Sequence, residues 1–345
     1  MVNEIQVLLA ATGFIIILLF IILTYLVIRK TIENRQEKKI GQYKQKYNSL
    51  LFSSVYEGQL TRQITVDSLL KIKAVEDLIK SYSDVLEGES EKSNLTKLAE
   101  LYLGDYYKKS LRSRRWSIRM NALYHIEDFR MENLEQEVVE MGKNKRITKD
   151  ELVIILRILS IFQYKGLHKL INQNASQLSE FEYRSFLMKL NVDEFDQFVL
   201  SFYKSSEDLQ VAILEVIRMK NELNYVPFVE SVFHNSTGEL RLRALKTLAG
   251  IGYVKEYQKY IPLCKAEKWQ ERMLAAKLFG TLKEQDTVSC LIDLLHDRIW
   301  WVRSQAAQSL MLYPNGREIL QHVLTTTEDS FARDMAWEWI NKGEI

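Results

Sequence analysis

The feature that most constrains this chain is a segment that returns about every 31 residues in its C-terminal half. Aligning on the arginine of "WWVRSQAAQSL" (Arg303) brings "ELRLRALKTL" at Arg241, "WQERMLAAKLF" at Arg272 and "SFARDMAWEWI" at Arg333 into one register. The separations are 31, 31 and 30 residues, and "RWSIRMNALYHI" at Arg119 lies 122 residues before Arg241, close to four further steps. Each arginine is followed at plus three by an alanine: Ala122, Ala244, Ala275, Ala306 and Ala336. Four residues later comes a large apolar residue: Ile126, Leu248, Phe279, Leu310 and Ile340. Residues four apart share a helix face, so alanine and apolar residue form one buried stripe against a close neighbouring helix. One such unit cannot bury both its faces, so successive units must stack.

Shorter apolar helices precede several of these segments: "NYVPFVESVF", "EYQKYIPLCKA" and "TVSCLIDLLHD". The unit is therefore a helical hairpin. Only 3 prolines and 13 glycines in 345 residues agree with a nearly all-helical chain. Between Arg119 and Arg241 the slot 31 residues before Arg241 is Gln210, with Leu209, Ile213 and Ile217 keeping the apolar spacing. Two more slots fall near 151 ("DELVIILRIL") and 180 ("EFEYRSFL"), the second a poor fit. Gly250 and Gly252 in "AGIGYVKE" are expected to end a helix.

The pattern resembles the HEAT repeat, including its bacterial variants, over residues 94–345 and most clearly from 225 on. The resemblance implies an all-α solenoid of about eight hairpins. It also implies an aspartate closing the first helix and an arginine six positions later, which link neighbouring repeats. Asp297 and Arg303 match both positions, whereas the aspartate slot elsewhere holds Ser113, Asn235, Ala266 and Thr327. Pro227 matches the proline of the family's first helix, and Pro262 lies four residues off that phase. Trp116, Trp269 and Trp300, each three before an arginine, occupy a slot common in the family. With Asp297, Arg303 and Arg119 they are assigned to inter-repeat packing.

Residues 7–28, "VLLAATGFIIILLFIILTYLVI", carry no charge. As a helix they would rise about 33 Å, enough to cross a bilayer core of about 30 Å. The preceding "MVNEIQ" has no base, whereas residues 29–46 hold seven bases and two acids. That asymmetry predicts a single-pass transmembrane helix with residues 1–6 outside and the C-terminal bulk in the cytoplasm. Residues 47–93 are expected to form a helical cap before the repeats. Arg29, Lys30, Arg35, Lys38 and Lys39 could also attract anionic lipid.

Chemistry is not legible in the sequence. The five histidines form no short metal-ligand pair, and no Walker loop or dinucleotide fingerprint occurs. Cys264 and Cys290 read as buried apolar residues, and the absence of a disulfide framework is taken to agree with a cytosolic location. Glu127 and Asp128 read as ordinary carboxylates of a solvated helix face. No catalytic, cofactor or metal residue is assigned, and beyond residue 46 bases and acids nearly balance, so no nucleic-acid partner is expected. The chain is expected to be a non-enzymatic scaffold holding a membrane-associated protein partner at the inner membrane face. The alternatives are an enzyme resembling the HEAT-like chromophore lyases or a HEAT-like nucleic-acid-binding protein. Candidate partner-binding residues are Trp301, Arg303, Arg272, Arg241 and Trp337. Trp301 falls on the polar side of its helix with Gln305 and Gln308.

Overall fold

A computed structural model of the protein describes residues 2–58, 63–144, 146–172 and 178–342, and all the regular structure among them is helical. The chain divides into two compact units, Met1–Phe162 and Gln163–Ile345.

The first unit begins with one continuous helix, α1 (Val2–Glu57). From Phe14 to Ile28 its apolar run is exposed, as at Phe14, Phe20 and Leu26. By length and composition it could cross a membrane, although a signal sequence near the N-terminus has the same properties. From Ile40 onward the helix becomes amphipathic. Ile40, Tyr47, Leu51 and Val55 are buried at spacings of seven, four and four, against α2 (Leu69–Ser83) and α3 (Glu89–Leu111). The segment expected to be a separate cap thus shares its first helix with the apolar run. The hairpin of α3 and α4 (Trp116–Asp128) is followed by that of α5 (Glu135–Gly142) and α6 (Lys149–Ile161), and α4 packs on α6.

The second unit holds six further hairpins. They are α7 (Leu167–Asn172) with α8 (Glu180–Leu187), α9 (Val192–Leu200) with α10 (Glu207–Lys220), and α11 (Val226–Asn235) with α12 (Gly238–Ile251). Next, a 3-10 helix (Tyr257–Lys265) pairs with α13 (Trp269–Leu282), α14 (Val288–Leu295) with α15 (Trp300–Met311), and α16 (Gly316–Thr326) with α17 (Ser330–Asn341). The second helices stack in series: α8, α10, α12, α13, α15 and α17. The eight hairpins that follow α2 agree with the expected number. The poor fit near 180 is α8, only eight residues long.

The repeat signature falls on the stacking face. Ala122, Ala244, Ala275, Ala306 and Ala336 are at most 1% exposed, and Ile126, Leu248, Phe279, Leu310 and Ile340 are all buried. Gly280 shows how tightly these helices meet. A Cβ there would lie 2.6 Å from the Ser309 side chain and 2.8 Å from its Cα, so glycine sets the approach of α13 to α15. Gly252 ends α12 in the left-handed region (φ 73°) and donates its N–H to Leu248, whereas Gly250 lies inside the helix. Pro262 sits within the first helix of its repeat. Its missing N–H removes one bond from an α-helical ladder, and this first helix is a 3-10 helix.

Two readings of the sequence are corrected. Cys264 and Cys290 are joined in a disulfide with Cα atoms 6.2 Å apart, so they are not simply buried apolar residues. They lie on neighbouring first helices, which stacking brings together, although 26 residues separate them and the repeat is longer. Glu127 is not a solvated carboxylate. It is buried and accepts two bonds from Arg157, from Nε at 2.9 Å and Nη2 at 2.7 Å, across the α4–α6 contact.

Candidate interaction site at the open end of the arginine series

The recurring arginine does two things, and only one depends on neighbouring side chains. Nη1 of Arg119, Arg272 and Arg303 donates to the main-chain carbonyl six residues earlier: Ser113, Ala266 and Asp297. Arg241 makes the equivalent bond to Phe233, eight residues earlier. Each arginine thereby serves a carbonyl at the end of the first helix in its own hairpin, where intrahelical donors run out. Gln210 keeps this contact in the slot that lost its arginine, donating to the carbonyl of Phe202 at 2.9 Å. Because the acceptor is main chain, the aspartate slot tolerates Ser113 and Ala266.

The slot has a separate local use. Ser113, Asp297 and Thr327 each accept, through a side-chain oxygen, the N–H two residues on: Arg115, Ile299 and Asp329. Any short oxygen-bearing side chain can make that turn. Only aspartate adds a charge.

The second action of the arginine is an ion pair with the next hairpin, and its partner varies. In the first unit, Arg119 Nε meets Glu151 at 2.7 Å. Glu151 also completes a capping box with Thr148 at the start of α6 and is wholly buried. In the second unit, Arg241 Nε meets Glu271 at 2.9 Å. Arg272 grips Asp297 through Nε and through Nη2, the latter at 3.0 Å. Burial works to raise the Asp297 carboxyl. The Arg272 bonds, the Ile299 N–H and the neighbouring arginine charges outweigh it and hold the group below its usual value. Glu151 is held low in the same way: burial raises it, and Arg119 and Thr148 more than compensate.

Arg303 is where this series stops. It is only 8% exposed, its Nε is buried without an acceptor, and no carboxylate lies within 4 Å among the described residues. The reason is visible in the last hairpin. Thr327 stands where Asp297 stood, and Ala332 precedes Arg333 where Glu271 preceded Arg272. The guanidinium lies over the ring of Phe331, with Cζ 5.0 Å from the centroid. Phe331 is 64% exposed, and Trp301 is 59% exposed with its ring 4.7 Å from Trp300 and nearly perpendicular to it. Phe331 escaped the sequence reading, although a signal existed. Both Trp301 and Phe331 stand two residues before the repeat arginine, a position held by Ser117, Glu239 and Gln270 elsewhere.

Trp116 is half-exposed and donates from Nε1 to Thr148 Oγ1 at 3.1 Å, bridging two hairpins. Trp269 begins α13 and is half-buried. Trp337 is exposed on α17, six residues beyond Phe331 and so on a different side of that helix. Arg241 and Arg272 are engaged in their pairs, leaving Arg303 as the one buried repeat arginine without a carboxylate among the described residues.

No cluster of three or more His, Cys, Asp or Glu residues is placed to hold a metal among the described residues. The histidines serve packing and turns. His125 stacks between Tyr107 and Phe129, His168 bonds Ser201 at 2.8 Å, and His296 links the Ile292 carbonyl to Thr327.

Stacked hairpins, second helices in series and arginine links between hairpins define an all-α helical-repeat protein. Residues 257–339, from the 3-10 helix into α17, match the family described as HEAT repeats. No curated protein matches the chain.

Proposed function

We propose that this chain is a membrane-anchored, non-enzymatic adaptor whose last hairpins dock a protein partner. The observation that carries the reading is Arg303. A buried cation that lacks its acid is costly to keep, whereas a carboxylate brought by a partner would complete the link that Glu271 and Asp297 complete earlier. Phe331 supplies exposed aromatic surface against it, and Trp301 is a second exposed aromatic on α15, the residue type that anchors interfaces. The exposed apolar run of α1 supports the anchor, and the seven bases of residues 29–46 support a cytoplasmic repeat array.

The test is affinity capture of the full chain in mild detergent, comparing wild type with Arg303→Met and Phe331→Ala. The expected result is a reproducible partner that either substitution depletes at least about tenfold, as loss of a charged hot-spot contact does. A wild-type chain that captures nothing reproducible overturns the adaptor reading.

One observation favours the opposite orientation. Disulfides persist on the oxidising side of membranes, and Cys264–Cys290 is paired. A reporter fused after residue 345 decides between the two. Activity only outside the cell would place the repeats there, with the disulfide as a structural staple.

A further inference from the structure

A second charged surface lies in the first unit. Between Asp105 and Glu127 the chain carries six bases and no acid. Averaging charge over the whole repeat region hides this run. Lys108, Arg112, Arg114 and Arg115 are exposed where α3 turns into α4, and Lys143 and Arg146 are exposed where α5 turns toward α6. These two turns join first to second helices of consecutive hairpins, and together they line a cavity of about 350 Å³. Lys108, Arg112, Arg119 and Arg146 face it, against Glu137 and Glu140. Lys108 is paired with Glu137, and Arg119 is committed to Glu151 and two main-chain carbonyls. Arg112, Arg114, Arg115 and Arg146 have no carboxylate within 4 Å among the described residues.

The position of this surface along α1 gives it a meaning. Near the far end of α1, Asn94 at the start of α3 donates to the Val55 carbonyl. Toward the other end of α3, Tyr107 donates to Glu76, and the adjacent Asp77 pairs with Lys44 of α1. Helix α3 therefore runs antiparallel to the lower half of α1, back toward the apolar run, and ends in the basic turn. From Lys44 to Ile28 a helix climbs about 24 Å, and the last turn of α3 recovers about 6 Å of that. The headgroup layer takes up about 5–8 Å of the remaining 18 Å, and a Debye length of about 8 Å covers most of the rest.

We propose that the basic turn at 108–115, together with Lys143 and Arg146, binds the phosphates of anionic phospholipid headgroups, giving the first unit a second hold on the membrane beside α1. The proposal rests on α1 being an anchor. Arginine suits the role because its planar fork donates to two phosphate oxygens at once. Juxtamembrane cations add roughly fivefold each to partitioning onto an anionic surface. Four unpaired arginines are therefore enough to hold the surface down at low salt and to release it at high salt.

The experiment is hydrogen exchange of the full chain in nanodiscs of phosphatidylcholine, with or without about 30% phosphatidylglycerol. The expected result is slowed exchange in 108–116 and 143–147 only in the anionic discs. About 0.5 M NaCl should abolish the slowing. Arg112→Gln combined with Arg146→Gln should reduce it at least about tenfold. The combined Arg114→Gln and Arg115→Gln substitutions, which touch only exposed side chains, should reduce it independently. Equal exchange in the two disc types, or slowing that survives these substitutions, overturns the proposal. Slowing produced in phosphatidylcholine discs by inorganic phosphate alone overturns the lipid assignment in favour of a free anion. Loss of the chain from discs on alkaline extraction overturns the anchor itself. That failure is read separately from the exchange pattern.

Discussion

Arg272 and Arg303 hold the same place in consecutive hairpins and make the same bond to the main chain six residues back, yet they end differently. Arg272 closes on Asp297 of the next hairpin, and the pair is buried on both sides. Arg303 reaches toward a hairpin that offers Thr327 and Ala332, and its Nε is left without an acceptor. The comparison separates two uses of one residue. The capping bond belongs to the fold and persists whatever the neighbour supplies. The ion pair belongs to the stacking of hairpins, and at the Arg303 junction it is not made among the described residues.

The largest effect should come from opening the closed link. Asp297→Ala leaves Arg272 buried and uncompensated, so the chain should lose about 3–5 kcal/mol in a denaturant titration. Arg303→Met removes a cation with no acid to strand, and should change stability by about 1 kcal/mol or less. Equal losses in the two variants would erase the distinction between a closed and an open link.

Acid should act on the closed links and leave the Arg303 junction unaffected. The Asp297 and Glu151 carboxyls are held below their ordinary values in the folded chain. Their contribution is full above the unfolded-state pKa and disappears as pH falls through the lower folded value. Thermal melts from neutral pH down through the carboxylate range should therefore show a falling midpoint, shallower in Asp297→Ala. A variant slope as steep as that of the wild type would show that this link does not drive the loss.

The smallest and most informative change is Thr327→Asp. Thr327 already accepts the Asp329 N–H as Asp297 accepts the Ile299 N–H, so aspartate keeps the turn and brings a carboxylate to the Arg303 side. Stability should rise by up to about 1 kcal/mol, while partner capture falls as the internal acid competes. Unchanged capture would mean that the partner does not use the Arg303 charge.

Much of the fold was legible because helical period and stacking leave a trace in each unit separately. An alanine and a large apolar residue at fixed offsets mark the buried stripe of five second helices, and Ala306 and Leu310 are buried as that stripe requires. Residues that act within one hairpin were equally readable in outline, as with Gly252 at the end of α12. The site was less legible. Trp301 and Arg303 stood out by type, but Phe331 did not, and Glu127 read as a surface acid although Arg157 holds it inside. The basic turn at 108–115 was lost in a charge balance taken over the whole chain.

The sequence by itself determined the hairpin length, the face that five second helices bury, and an apolar run long enough to cross a bilayer. These are properties of single helices, set by side-chain spacing along one axis. Tertiary structure alone decided which carboxylate meets which arginine. Arg119 takes Glu151, Arg241 takes Glu271 and Arg272 takes Asp297, at separations of 32, 30 and 25 residues. It also paired Cys264 with Cys290 and left Arg303 open. Such contacts run sideways between stacked hairpins, and their partners depend on how far each turn shifts its neighbour. No fixed spacing along the chain encodes that distance.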